Sequence, residues 1–469
     1  MRKALESAET KAYRILLFGA LGSRLFVEED DGQFQLPAVS IPTQQRAAAN
    51  LTASLQRECS VTAVCLVSFD LPQVLTKWRY QVMECCDEGL PERFGFRWIP
   101  VSCLEKRMFK DVADYAAVER SLAECADRNG EREGAPFARF GWFETLTAWL
   151  RDELRPAGYL WNGRFSQWNA SPAFSLIRFE TDGPAVWFKA VGAPNRHEYP
   201  ITLALARYFS AFVPPLLATR PEWNGWLSIE AEGAHPDVTA DGAQWSRTAV
   251  TLAELQIASY GQSLHLLEVG CRDARIGSLR ELIEPFFAVM EELMFQQVKA
   301  APAPLSRREV LALRVRLEDL CAESQNFEIP NVLGHLDFNP GNIVVSKDRC
   351  VFLDWAEAYV GHPFLTFQYL LEHLRRSKPQ DKSWEPALSA AYTDPWRSFF
   401  APAEIARAME VVPLLAVFAY AARGNVWRGS ELRTQPQVAG YFRSLTRRLK
   451  SEADRLLLND ARKGVACLA

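Results

Sequence analysis

Short apolar runs separated by glycines and acidic turns open the chain. Residues 13–18 and 24–27 read as strands broken by Gly19 and Gly22, and Asp30-Asp31-Gly32 is a turn signal. Ala47, Ala48, Leu51 and Leu55 then recur at helical spacing, which predicts a helix capped by Thr43 and running to about Arg57. Residues 61–69 and 78–85 are rich in β-branched and aromatic side chains and return to strand. A helix is expected over 109–127. The polar, glycine-bearing stretch 128–134 (RNGEREG) marks a domain boundary, and an amphipathic helix follows over Trp142–Leu154, ended by Pro156 and Gly158.

From Gly163 the pattern changes. Residues 174–179 and 185–190 flank Thr181-Asp182-Gly183 and predict a hairpin. A helix over 199–212 is stopped by Pro214-Pro215. Beyond Ser246 the chain is mainly helical, except that short strands at 343–345 and 351–353 bracket the turn Ser346-Lys347-Asp348. The apolar run 411–422 contains Pro413 and is about a dozen residues, where a membrane span needs roughly twenty, so a buried helix is expected. The stretch 438–458 is amphipathic. These elements define an α+β protein without internal repeats.

Composition narrows the class. At 469 residues, 48% hydrophobic and 23% charged, the chain is globular and too long for one ordinary core. A net charge of -4 gives no global attraction for nucleic acid or an acidic membrane, and neither is expected as a partner. Ten cysteines without a CxxC pair, among them adjacent Cys85 and Cys86, suit free thiols in a reducing compartment. The first apolar run, 15–21, is short and interrupted by Gly19, so it reads as a strand and not as a signal peptide. A soluble, cytoplasmic protein is expected.

The segment 334–355, GHLDFNPGNIVVSKDRCVFLDW, carries the chemistry. Asp337 lies two residues after His335, Asn342 follows five later, and Asp354 ends an apolar strand. Phosphoryl transfer needs one carboxylate to take the proton of an attacking hydroxyl. It also needs an amide oxygen and a second carboxylate to hold magnesium against nucleotide phosphates. The segment resembles the catalytic and metal loops of the aminoglycoside phosphotransferase and choline kinase-like family, relatives of the protein kinases. That family usually reads His-Gly-Asp-x-His/Asn-x-x-Asn, then a strand ending in Asp-Trp or Asp-Phe. Here Leu336 replaces the Gly, and Asn339 holds the His/Asn position. The resemblance implies Asp337 as catalytic base, Asn342 and Asp354 as magnesium ligands, His335 as a brace of the loop, and Mg-ATP as phosphoryl donor to a small-molecule hydroxyl or amine.

Such a kinase requires a strand lysine paired with a helix glutamate. Lys189 follows the apolar residues of its strand. Glu198 opens the next predicted helix, where Pro200 suits the first turn. A glycine-rich phosphate loop is missing. Asn169 to Ser175 stands in its place, so backbone N–H groups or Ser171 and Ser175 would have to meet the phosphates. Residues 227–232, with Glu230, are the expected adenine hinge. Gly361-His362-Pro363 resembles the family's Gly-x-Pro, although Thr366 lies where an acid is usual.

Residues 12–104 resemble a Nudix fold in element order and in the late segment Arg97-Trp98-Ile99-Pro100. Active members carry Arg-Glu-x-x-Glu-Glu-x-Gly. Here the aligned stretch is Ala53-Ser54-Leu55-Gln56-Arg57-Glu58-Cys59-Ser60, and only Glu58 survives. One carboxylate cannot assemble that metal cluster. The expected organisation is an inactive Nudix-like domain over 1–130, a helical connector over 131–160, a kinase N-lobe over 161–235 and a helical C-lobe over 236–469. The N-terminal domain is a candidate surface for self-association or a protein partner. The alternative to an active kinase is a nucleotide-binding pseudokinase with a regulatory role.

Overall fold

Strand β1 (Thr10–Gly19) is the axis of the first sheet. Ile15 to Phe18 are buried without a break, so strand alternation gives way to a continuous apolar run, as expected for a strand covered on both faces. It pairs antiparallel with β2 (Arg24–Asp30) and β4 (Ala38–Pro42) and parallel with β6 (Arg79–Cys85). Strands β3 (Gln33–Gln35) and β7 (Phe96–Pro100) flank β2, and β5 (Ala63–Asp70) closes the far edge beside β6. This computed structural model describes residues 10–466 apart from 44, 73–75, 88–94, 126–135, 237–240, 348, 379–382, 425, 430–431 and 433–434. The predicted boundary at 128–134 and the turn residue Asp348 lie outside the described residues.

Helix α1 (Ala47–Cys59) starts later than the sequence suggests. Strand β4 runs to Pro42 and Thr43 lies in the turn after it, so the N-cap is Arg46, with no side-chain cap bond. Helices α2 (Val112–Cys125) and α3 (Trp142–Leu154) form where expected.

The second sheet is antiparallel, in the order β11-β12-β10-β9-β8. Its strands are β8 (Trp161–Ser171), β9 (Phe174–Thr181), β10 (Val186–Val191), β11 (Leu216–Arg220) and β12 (Gly225–Ile229). Strand β8 was masked in the sequence by its polar residues and by two register shifts against β9. Its presence corrects the expected loop at 169–175. Those residues are two paired strand ends around Pro172-Ala173, with Ser171 opposite Phe174 and Ala170 opposite Ser175.

Both sheets belong to one compact unit, Met1–Tyr199 with Pro215–Glu230. A single apolar core runs from Leu16, Phe18 and Val82 through Trp142, Leu146 and Leu150 of α3 to Phe179, Phe188 and Leu227. The edge of β5 is capped from β8. Gln167 accepts from the Cys65 N–H at 2.7 Å and donates to the Cys65 carbonyl at 3.0 Å.

The other unit is Pro200–Pro214 with Ala231–Ala469. Helix α4 (Glu198–Tyr208) contributes Ile201 and Leu205 to its core. The scaffold is helical: α5 (Gly242–Ala258), α6 (Ser263–Glu268), α7 (Ile276–Phe295), α8 (Arg307–Ser324), α9 (Phe364–Ser377), α10 (Trp384–Thr393), α11 (Pro402–Ala422) and α12 (Pro436–Ala466). Helix α8 starts at a capping box, Ser306 with Glu309. Helix α11 is long and apolar enough to cross a membrane, yet it is packed into this core from Ile405 to Ala422. Among these helices lie a small sheet, β13 (Arg272–Ala274), β17 (Ala358–Gly361) and β14 (Val332–His335) in that order, and the hairpin β15 (Ile343–Val345) with β16 (Cys350–Phe352).

Candidate active site

Strand β14 delivers His335 to a loop, and β16 delivers Asp354 to the turn before β17. Gly334 is required where β14 crosses β17, because a Cβ there would lie 2.0 Å from the Tyr359 ring. His335 is buried, set between Phe338 and Trp355 with ring centroids at 6.0 and 5.0 Å. Its backbone N–H donates to Thr366 Oγ1 at 2.9 Å, so Thr366 braces the end of β14. The imidazole Nδ1 accepts from the Asp337 N–H at 3.0 Å, and Nε2 lies 3.1 Å from the Leu353 carbonyl. Only the neutral Nε2–H tautomer makes both bonds. Burial also holds the imidazole pKa below its ordinary value and favours that form.

The Asp337 carboxylate is exposed and oriented by two amides. Asn339 Nδ2 donates to one oxygen at 3.2 Å and Asn342 Nδ2 to the other at 3.3 Å. Both amides also donate to the Asp337 carbonyl, at 3.1 and 2.9 Å. The turn is tightened by Asn339 Oδ1, which accepts from the Gly341 N–H at 2.9 Å. Asn342 thus spends its nitrogen on Asp337, while its Oδ1 accepts nothing among the described residues. The Asn342 amide oxygen and the Asp354 carboxylate are hard-oxygen donors of the kind that magnesium takes.

Asp354 itself is exposed and sits at φ +61°, a left-handed conformation that Asp tolerates better than bulkier residues. The Leu353 N–H just before it donates to the Asn342 carbonyl at 2.8 Å. Behind these residues Arg349 anchors the hairpin to the segment after α4, donating to Ser210 at 2.7 Å and Val213 at 3.1 Å. Two features went unnoticed in the sequence. Gly233, at φ +129°, comes so close to β15 that a Cβ would lie 2.4 Å from the Val345 carbonyl. His235 Nδ1 bonds the Ile343 carbonyl at 2.8 Å. Neither carries a local pattern, because both answer to a strand more than a hundred residues away.

In the first unit Lys189 Nζ meets Glu198 Oε1 at 2.5 Å, and both side chains are buried or nearly so. The remaining predicted residues are differently placed. Ser171 Oγ accepts from the Phe174 N–H at 3.2 Å, closing its own hairpin. Ser175 is buried, and its hydroxyl has no partner among the described residues. Glu230 is held by Arg178 at 2.6 and 2.8 Å and by Trp187 Nε1 at 2.9 Å, which keeps its carboxyl below the usual range. In the hinge stretch, its backbone N–H donates to the Ala185 carbonyl at 2.8 Å.

A cavity of about 450 Å³ opens beside Asp337. Leu336 to Asn339 form one wall, and α9, α11 and α12 form the others. Leu336 is buried, and its N–H donates to the Glu357 carbonyl at 2.9 Å.

The family model described as the phosphotransferase enzyme family matches residues 222–407, within the C-terminal part of the chain. That match supports a phosphotransferase. No curated protein matches the sequence. Solved structures similar to the chain include an ethanolamine kinase of Plasmodium vivax, at 13% identity and TM-score 0.45 over 67% of this chain and 89% of that one. The choline kinase LicA of Streptococcus pneumoniae has 13% identity and TM-score 0.43, over 66% and 99%. The macrolide 2'-phosphotransferase MphH of Brachybacterium faecium has 16% identity and TM-score 0.42, over 63% and 97%.

Proposed function

We propose that the chain is an ATP-dependent kinase that moves the γ-phosphoryl of Mg-ATP to a hydroxyl, or an amine, of a small molecule. The observation that carries this is the His335 brace. One buried imidazole ties the Asp337 loop to the residue preceding Asp354, whose N–H in turn donates to the Asn342 carbonyl, so the three oxygen-bearing residues of the required types are linked. Asp337 is the base. Asn342 Oδ1 and Asp354 would hold magnesium, which offsets phosphate charge when bound. Lys189, oriented by Glu198, is the side chain for the α- and β-phosphates. The acceptor oxygen forms a bond to the γ-phosphorus as the bond to the β,γ-bridging oxygen breaks. The hydroxyl proton passes to the Asp337 carboxylate, and the electron pair leaves with ADP.

The N-terminal sheet fits a Nudix-like relic in structural service. Helix α1 carries the single carboxylate Glu58, and among the described residues no cluster of His, Cys, Asp and Glu could hold a metal. Cytoplasmic residence belongs to the same proposal.

Thermal unfolding with ATP or GTP, with and without magnesium, tests the reading. Nucleotide at ~100 times its dissociation constant stabilises its unit by about 2.7 kcal/mol. A magnesium-dependent shift that disappears in Asp354→Ala supports the kinase. A shift without transfer to any acceptor would favour the pseudokinase, and no shift would remove both.

A further inference from the structure

The cavity beside Asp337 has an unusual charge arrangement for a site that would receive a cation. Its lining includes Arg375 and Arg376 from α9 and Arg448 from α12. The two lining glutamates are already engaged. Glu372 takes Arg448 at 2.9 Å and Arg376 at 3.4 Å, while Glu452 takes Arg455 at 2.8 Å. Arg375 is held by Glu385. Two guanidiniums on one carboxylate leave N–H donors over, since each carries five.

The aromatic wall is equally committed. Tyr369 donates to the Ala416 carbonyl at 2.8 Å, and Tyr441 donates to the Tyr420 hydroxyl at 3.0 Å. The Tyr420 ring, a face of the kind that attracts an ammonium group, already has the Arg423 guanidinium 4.0 Å from its centroid. Arg423 Nη1 is buried and has no hydrogen-bond partner among the described residues. A positively charged acceptor would therefore meet guanidiniums, a ring already occupied by a cation and, among the described residues of the lining, no uncommitted carboxylate except Asp337. Burial, followed by the neighbouring Arg376, also lowers the pKa of His373 in the lining.

We infer that this cavity takes an alcohol bearing an oxyanion, a carboxylate or a phosphate, with Arg376 and Arg448 holding the anionic group while the hydroxyl meets Asp337. The inference rests on the kinase reading for the hydroxyl's fate, and on the arginines alone for the anion. Guanidinium forks match both kinds of oxyanion.

Calorimetric titration of the full chain separates the cases. The probes are D-glycerate, D-ribose 5-phosphate and choline, each with and without magnesium and a non-hydrolysable ATP analogue. Expected is binding of one anionic alcohol and none of choline, with affinity falling at least ~10-fold in Arg376→Gln/Arg448→Gln, the loss of about one charge-assisted bond. Which anion binds distinguishes carboxylate from phosphate. Arg448→Gln cuts the bond to Glu372, so Arg376→Gln alone is the second variant. Its side chain is 69% exposed, which leaves folding intact, and a several-fold loss is expected there. Binding of choline, failure of both anions, or an anion affinity unchanged in both variants would overturn the inference. The nucleotide analogue, titrated by itself, reports on the kinase reading separately. Its binding together with choline sinks only the acceptor class, whereas its failure to bind sinks the kinase.

Discussion

His335 and Leu353 are 18 positions apart and joined by one bond, imidazole Nε2 to backbone carbonyl, at 3.1 Å. The same ring receives the Asp337 N–H on its other side. The loop that carries the proposed base and the strand that carries the proposed metal ligand therefore share one buried, neutral imidazole. Replacing it leaves two backbone groups without partners, each costing about 1–3 kcal/mol if it stays buried. His335→Ala is expected to lower the melting temperature and to reduce kcat more than it raises the KM for nucleotide. A variant with unchanged stability would show that the brace is dispensable.

Asp337→Asn tests the base separately from the scaffold. Asparagine keeps the shape and can still accept from Asn339, but it cannot take a proton. Turnover is expected to fall by ~10²–10⁴-fold while magnesium-dependent nucleotide binding persists. Steady-state kinetics beside the nucleotide melting shift decide it. Retained turnover would remove Asp337 from the role.

Much of this site could be read from the chain because its parts are local. His335, Asp337 and Asn342 lie within eight residues, and the hairpin leading to Asp354 has its own turn. Lys189 and Glu198 are nine apart, and the kinase resemblance directed attention to both. Features set by distant partners stayed hidden. Strand β8 reads as polar chain until the β9 register is known, and Gln167 acquires its meaning from Cys65, 102 residues earlier. The arginines of the cavity come from α9 and α12, so their convergence has no periodicity to betray it. Ser171 and Glu230 were singled out by type, and the structure adds a hairpin bond with Phe174 for the first and an ion pair with Arg178 for the second.

Gln167→Leu addresses the joint between the two sheets of the first unit. The leucine fills similar volume but leaves the Cys65 N–H and carbonyl unpaired in a buried position. A loss of about 2–4 kcal/mol is expected, because two satisfied groups become orphans at once. Denaturant unfolding measures it. A change under ~0.5 kcal/mol would mean that water replaces the side chain and that the edge of β5 is not sealed as the structure suggests.

Glu84 makes the same unit sensitive to pH. Both carboxylate oxygens accept from the Gly141 N–H, at 2.8 and 3.0 Å, at the start of α3, and the side chain is buried. That donor favours the charged form, but burial outweighs it and raises the pKa from 4.5 to about 7, with Glu144 adding a smaller push upward. The folded state therefore holds a proton that the unfolded chain releases near 4.5. Stability from this group is complete below about pH 4.5 and is lost as pH rises through about 7, a change on the order of 3 kcal/mol. Glutamine keeps a carbonyl for Gly141 and cannot ionise. Glu84→Gln is therefore expected to melt close to the parent at pH 5 and above it at pH 8. If instead the two melting curves run parallel from pH 5 to 8, Glu84 is ionised at no cost and the burial argument fails.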